Sequence, residues 1–218
     1  MNHRPNKFLS LCILQIGFSG FALGQDHPEH GSSSKKVEPP KVFLDKSPKV
    51  VEYQLKRLSN AQLLLIEVAT DHPKYVPVFS AIAVRPGMSA EQRETAVVTL
   101  GKLNGQSIAE TVFEQLAKLN ATDREQQRVA SDLTALLLTQ SADQLPISAL
   151  TDAASNKSPL VCQAAMAALI NSGKVDAARE LASNGGAARV GFLAAATIVA
   201  EDEKTISILS NPDQPSLL

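Results

Sequence analysis

Tryptophan is absent from these 218 residues, and aromatic side chains make up only 4%. A core of this chain therefore has to be assembled from Leu, Ile, Val and Ala, which suits closely approaching helices. Cysteine is nearly absent too, at two residues, Cys12 and Cys162. No CxxC, CxxCH or paired Cys/His spacing occurs, which removes the usual zinc and c-type haem frameworks. Histidine occurs four times and never as HExxH. GxGxxG and GxxxxGK[ST] are missing, so the phosphate-cradling loops of nucleotide enzymes are missing with them. The one approach to a nucleophile elbow, "GFSG", lies inside the first 24 residues. No stripe of basic residues exists of the kind a nucleic-acid binder displays.

What is present starts with the amino terminus. "MNHRPNK" carries Arg4 and Lys7 and no acid, "FLSLCILQIGFSGFALG" follows as an apolar run, and Ala22-Leu23-Gly24 offers small residues ahead of Gln25. That is the three-part layout of a secretory signal peptide over residues 1–24. The competing reading is a membrane anchor, which the short run and the lack of a following basic cluster disfavour. Cleavage would take away two basic residues and no acid, leaving nineteen basic against twenty-two acidic. It would also take Cys12, so the exported chain would hold Cys162 alone and no internal disulfide.

Residues 25–40, "QDHPEHGSSSKKVEPP", are polar and rich in Ser, Pro and charge. Such a segment buries too little apolar surface to offset chain entropy and reads as a flexible linker. From residue 41 to about 210 the pattern is helical, with 211–218 as a tail. Ser47-Pro48 is an N-cap followed by proline at the first helical position. "KVVEYQLKRL" then spaces Val51, Leu55 and Leu58 for one buried stripe. "AQLLLIEVA" is apolar around most of its circumference and predicts a central, buried helix. "KYVPVFSAIAV" reads as a helix with Pro77 in its first turn. Ser89 with Gln92 forms a capping box, and Gly105 stops the helix that follows. Ser107 opens a helix carrying Ile108, Val112, Leu116 and Leu119. Thr122 opens the next, with Glu125 at the box position, and Ser158-Pro159 repeats the cap-plus-proline device. No convincing alternating strand run occurs.

"AEQRETAVVTLGKLNG" at 90–105 is echoed by "VCQAAMAALINSG" at 161–173. Ala96, Ala130, Ala165 and Ala194 each fall in the middle of a predicted helix, at spacings of 34, 35 and 29 residues. Four residues beyond them come Leu100, Thr134, Leu169 and Ile198. A shared period in an all-helical chain predicts an all-α superhelix, a solenoid of antiparallel helix pairs. The small alanine would let a neighbouring helix come close, and the residue four places on would fill the groove beside it. The alternative is an irregular helical bundle whose alanines coincide.

These units resemble HEAT-type α-α repeats; the aromatic consensus of TPR repeats is missing. Residues 41–105 in particular, "KVFLDKSPKV" through "TLGKLNG", resemble a segment of exported planctomycete HEAT-repeat proteins that are often fused to a c-type cytochrome domain. The resemblance implies a non-catalytic, exported, periplasmic or secreted module that binds a protein or a neighbouring domain. A second implied function is an accessory subunit of an envelope cytochrome system. It carries no catalytic residue across, and without CxxCH it carries no haem across.

The individual residues are read accordingly. His27 and His30 in "DHPEHG", with Asp26 and Glu29, have ligand chemistry for Zn²⁺ or Cu²⁺, but a metal site of useful affinity needs a preformed scaffold. His72 between Asp71 and Pro73 reads as a loop cap, with a pH-sensitive bond to Asp71 as the alternative. Cys162 falls on an apolar face and behaves as a small hydrophobe. Asn120-Ala121-Thr122 is a glycosylation sequon, of consequence only in a eukaryotic secretory pathway. No catalytic residue, cofactor or metal ligand is therefore expected. The candidate partner-binding residues are Arg93 and Glu94 on helix 89–103 and Arg124 and Arg128 on helix 122–138, against the plainer reading of a solvated charged face.

Overall fold

A computed structural model describes residues 37–199. The expected leader, the histidine pair and the tail from 211 lie outside the described residues. Within them the chain is all-α, with no strand. Ten helices follow in order: α1 (Pro48–Lys56), α2 (Asn60–Leu64), α3 (Val76–Val84), α4 (Ala90–Asn104), α5 (Ile108–Leu116), α6 (Arg124–Leu138), α7 (Ile147–Ala154), α8 (Pro159–Asn171), α9 (Val175–Ser183) and α10 (Gly186–Val199). Short 3₁₀ turns at Pro73–Tyr75 and Ala142–Gln144 lead into α3 and α7.

Local chemistry sets most of the helix starts. Ser59, Ser89 and Ser107 each accept a bond from the backbone N–H three residues on, and Gln62, Gln92 and Glu110 each reach back to the cap's own N–H. Each box satisfies two of the donors that a helix start leaves orphaned. Ser47 and Ser158 cap no N–H with their side chains, and the proline that follows each supplies the preset φ instead. The start of α6 falls one residue later than its sequence suggests. Asp123, not Thr122, is the cap, its carboxylate accepting from the N–H groups of Glu125 and Gln126. Thr122 is engaged elsewhere, donating both its N–H and its hydroxyl to Asn120 Oδ1. Gly105 ends α4 in the left-handed region at φ 65°, where a side chain would be strained.

The packing alternates along the chain. From α3 onward nearly every helix touches its successor, and it also touches the helix after that. α4 packs on α6, α6 on α8 and α8 on α10, while α3 packs on α5, α5 on α7 and α7 on α9. The α8–α10 contact is the most extensive. The core follows the alanine pattern through three steps: Ala96, Ala130 and Ala165 are buried, as are Leu100, Thr134 and Leu169. Thr134 meets its own polar demand by donating to Ala130 O at 2.7 Å. α8 is buried around nearly its whole circumference, from Leu160 to Ile170 with only Gln163 half-exposed.

The fourth step departs from the sequence reading. Ala194 is only half-buried and Ile198 is exposed at 38%, while Ala195 is fully buried. The tightest approach of α10 to α8 is made by Gly191 over Cys162, and Ala195 lies four residues on from Gly191, on the same face. That register turns Val190, Leu193 and Ile198 outward.

The "AQLLLIEVA" stretch is also corrected. It is not a central buried helix: α2 closes after Leu64, and Leu63 alone is buried, whereas Leu64, Leu65 and Val68 are exposed. α2 lies near the amino-terminal end of the helix series and packs against α3, so its apolar circumference has too few neighbours to cover it.

Candidate docking surface

Two arginines link α1 to α3 and α3 to α4 and α6, and one of them overturns a sequence expectation. Arg93, expected on an exposed partner-binding face, is only 3% exposed. Its Nη1 donates to Ala83 O at 2.7 Å and Arg85 O at 3.2 Å, and its Nη2 to Met88 O at 3.2 Å. These carbonyls lie at and just beyond the end of α3, where the helix dipole favours a cation. Nε sits 3.3 Å from Asp132 Oδ2 of α6, an ionic contact rather than an aligned hydrogen bond. Burial lowers the Arg93 pKa below the ordinary arginine value, and the Asp132 carboxylate opposes that shift. Arg93 is thus an internal clamp and is withdrawn from the partner surface. Arg85 does the same work one step earlier, donating to Leu55 O at 2.7 Å and Leu58 O at 2.8 Å around the end of α1.

The remaining candidates stay outside. Glu94 and Arg124 are exposed. Arg128 is exposed and pairs with Glu125 at 2.7 Å, the arrangement of a solvated helix face. His72 is exposed, and its Nδ1 accepts from the Lys74 N–H at 3.1 Å, so it caps the turn before α3 rather than bonding Asp71. Cys162 is fully buried, its Sγ 3.0 Å from Ala154 O and 3.4 Å from Ala187 O. Burial pushes its thiol pKa up, away from the thiolate a nucleophile requires. The four partner candidates from sequence are not brought together, since Arg93 points inward. No group of three or more His, Cys, Asp or Glu side chains poised for a metal ion occurs among the described residues. No helix among the described residues is long and apolar enough to cross a membrane.

A polar seam that sequence reasoning missed joins α3 to α5. Gln115 is fully buried and its Oε1 accepts from Ser80 Oγ at 2.8 Å and Lys118 Nζ at 3.1 Å. Lys118 also pairs with Glu114 at 2.9 Å, and that bond holds the Glu114 carboxyl below the usual glutamate range. Gln115 stands on the buried face one place from Leu116. An inward glutamine at helical spacing was the available signal.

Exposed apolar side chains concentrate at the amino-terminal end. Of the eleven large ones among the described residues, seven fall between Val37 and Val68: Val37, Phe43, Val50, Tyr53, Leu64, Leu65 and Val68. α1 buries Val51 and Leu55 against the rest of the fold, as its sequence predicts, yet its opposite side carries Val50 and Tyr53 instead of a purely polar face. Residues 39–45 run beside it without regular structure and are pinned there by Gln54. Gln54 Oε1 accepts from the Phe43 N–H at 3.0 Å, while Nε2 donates to Phe43 O at 3.4 Å and Val50 O at 3.3 Å. Between this segment and residues 65–67 and 74–75 opens a cleft of about 460 Å³. Its walls include Val42, Leu44, Ile66 and Tyr75, with Lys41 and Lys74 each lying over an aromatic ring, Phe43 and Tyr75 respectively. Apolar side chains left open beside placed charges are the composition of a docking patch.

Comparison with protein-family models, with curated proteins and with solved structures gives no match to this chain.

Proposed function

We propose that this chain is an exported, HEAT-like α-α solenoid that acts as a non-catalytic binding scaffold for another protein. The stacking part of the reading is supported by the alternating contacts, in which even helices pack on even and odd on odd, and by buried alanines at the centres of α4, α6 and α8. Stacked pairs of this kind meet each neighbour through the same small residue, and the array leaves end faces and concave surfaces for partners. The binding part is carried by one observation: α1, the first helix among the described residues, keeps Val50 and Tyr53 in solvent, and residues 39–45 beside it wall a cleft of mixed apolar and charged side chains. Ends of repeat arrays are ordinarily polar for solubility.

The non-catalytic part draws on the roles of the reactive side chains. His72 is used as a cap, Cys162 is sealed beneath α10, and Arg93 is spent on carbonyls. Export rests on the leader-like first 24 residues.

Affinity capture of the tagged full chain from the envelope fraction of its host tests the reading. A discrete protein partner should copurify with the wild type and be lost with Tyr53→Ser, and the mature chain should begin at Gln25. An uncut chain held in the cytoplasm would sink the export half. Capture indifferent to position 53 would sink the docking half.

A further inference from the structure

We propose that the outward face of α1, together with the adjoining cleft, docks a segment of a partner protein in which carboxylates stand next to apolar side chains. This deepens the scaffold reading and rests on it.

The face is built by spacing. Val50, Tyr53 and Arg57 follow at three and four residues and share one side of the helix. Phe43 joins them because Gln54 holds its backbone against Val50. Among the described residues, Phe43 and Tyr53 are the two aromatic rings in the set of exposed large apolar side chains, and each carries a cation over its face. Lys41 Nζ lies 5.5 Å from the Phe43 ring, and the Arg57 guanidinium 5.4 Å from the Tyr53 ring, with Nη1 donating to the Tyr53 hydroxyl at 3.1 Å. Aromatic rings flanked by arginine are the side chains that carry binding energy at protein interfaces.

Charge decides the partner's sign. Residues 37–57 hold five basic against three acidic side chains, whereas 58–199 hold eleven against thirteen. Two of the three acids are already answered, Asp45 by Lys46 at 3.6 Å and Glu52 by Lys56 at 2.8 Å, which leaves Glu38. Lys41, Lys49 and Arg57 have no carboxylate in ion-pair distance among the described residues. The positive excess therefore sits at the same end as the exposed rings, and a partner with carboxylates complements it.

Shape favours a protein segment over a lipid surface. Three uncompensated cations fall short of the clusters of about four to eight that recognise anionic lipid. A cleft of about 460 Å³, sharing Lys41 and Phe43 with this face, accepts an anchoring side chain and offers nothing to a flat bilayer. Asp45 and Glu67 line opposite walls of the cleft, so the partner's apolar anchor belongs inside it and its carboxylates outside, over Lys49 and Arg57 of the α1 face.

The test uses the full exported chain and two short labelled peptides, one alternating leucine and glutamate and one alternating leucine and glutamine. Anionic vesicles of phosphatidylglycerol in phosphatidylcholine form a third arm. Fluorescence anisotropy should show the glutamate peptide binding on the order of tenfold more tightly than its glutamine counterpart. The double variant Lys49→Gln/Arg57→Gln should erase that difference with an unchanged melting temperature, and Tyr53→Ser should weaken both peptides. Equal binding of the two peptides, binding of neither, or a preference for vesicles overturns the proposal. If the peptides bind alike while partner capture still depends on Tyr53, the carboxylate chemistry alone fails and the scaffold reading stands.

Discussion

Gly191 of α10 crosses directly over Cys162 of α8, so closely that a methyl group built on Gly191 would lie 2.5 Å from the Cys162 sulfur. The absence of a Cβ at one position and a small thiol at the other set how near these helices come. Gly191→Ala gains helix propensity worth about 1 kcal/mol, but overpacking should outweigh it and leave a net loss of about 1–3 kcal/mol. Removing the sulfur should relieve the clash. In urea unfolding, the double variant Cys162→Ala/Gly191→Ala is therefore expected to be more stable than the sum of the two single losses implies. Additive losses would mean that the helices do not meet there.

Arg93 ties α3, α4 and α6 through three carbonyls and Asp132. Arg93→Met keeps the stem and loses the fork. It should cost about 3 kcal/mol, because the buried carbonyls at the end of α3 lose their donors, while Asp132, 44% exposed, falls back on solvent. Arg93→Lys supplies a charge without the planar fork and should recover only part of that. Thermal unfolding of both variants measures it; an unchanged melting temperature for Arg93→Met would refute the clamp.

Glu110 contributes to the acid limb of stability. Its carboxylate accepts from the Ser107 N–H and hydroxyl, which holds its pKa below the ordinary glutamate value. A depressed folded pKa contributes stability that is complete above the unfolded value and is lost as pH falls through the folded one. Stability should therefore decline as pH drops below about 4.3. Glu110→Gln can keep the box geometry, as Gln62 and Gln92 do, and should flatten that decline at this site. Urea midpoints across the acid range would show it. An identical slope in the variant would remove Glu110 from the acid response.

Much of the fold was legible in the sequence, for reasons that can be located. The capping box expected at Ser89 with Gln92 formed, because the box is a purely local bond pattern; Ser59 with Gln62 and Ser107 with Glu110 carry the same pattern, while the box expected at Thr122 gave way to Asp123. Ala96, Ala130 and Ala165 were legible as buried positions because their recurrence at the centres of helices placed them on the core side. What failed depended on neighbours. Arg93 looks like any surface arginine until the end of α3 is folded against it. "AQLLLIEVA" looks central until α2 proves to close after Leu64 and to pack against α3 alone among its stronger contacts in the described residues. Ala194 lost its place to Ala195 because Gly191, which sequence reading passed over, sets the α10 register. The docking face was hidden for a related reason. Phe43 joins α1 only through Gln54, eleven residues away, and no periodicity encodes that bond.

The most direct measurement is site-specific photo-crosslinking of the full chain in its host, with a photoreactive side chain at Tyr53 in one version and at Ile147 in the other. Both positions are exposed and apolar, but only Tyr53 belongs to the basic, cleft-bearing end. A discrete protein adduct from position 53 and none from position 147 is the expected result. Equal labelling from both positions, or adducts from 147 alone, would contradict a docking surface at α1.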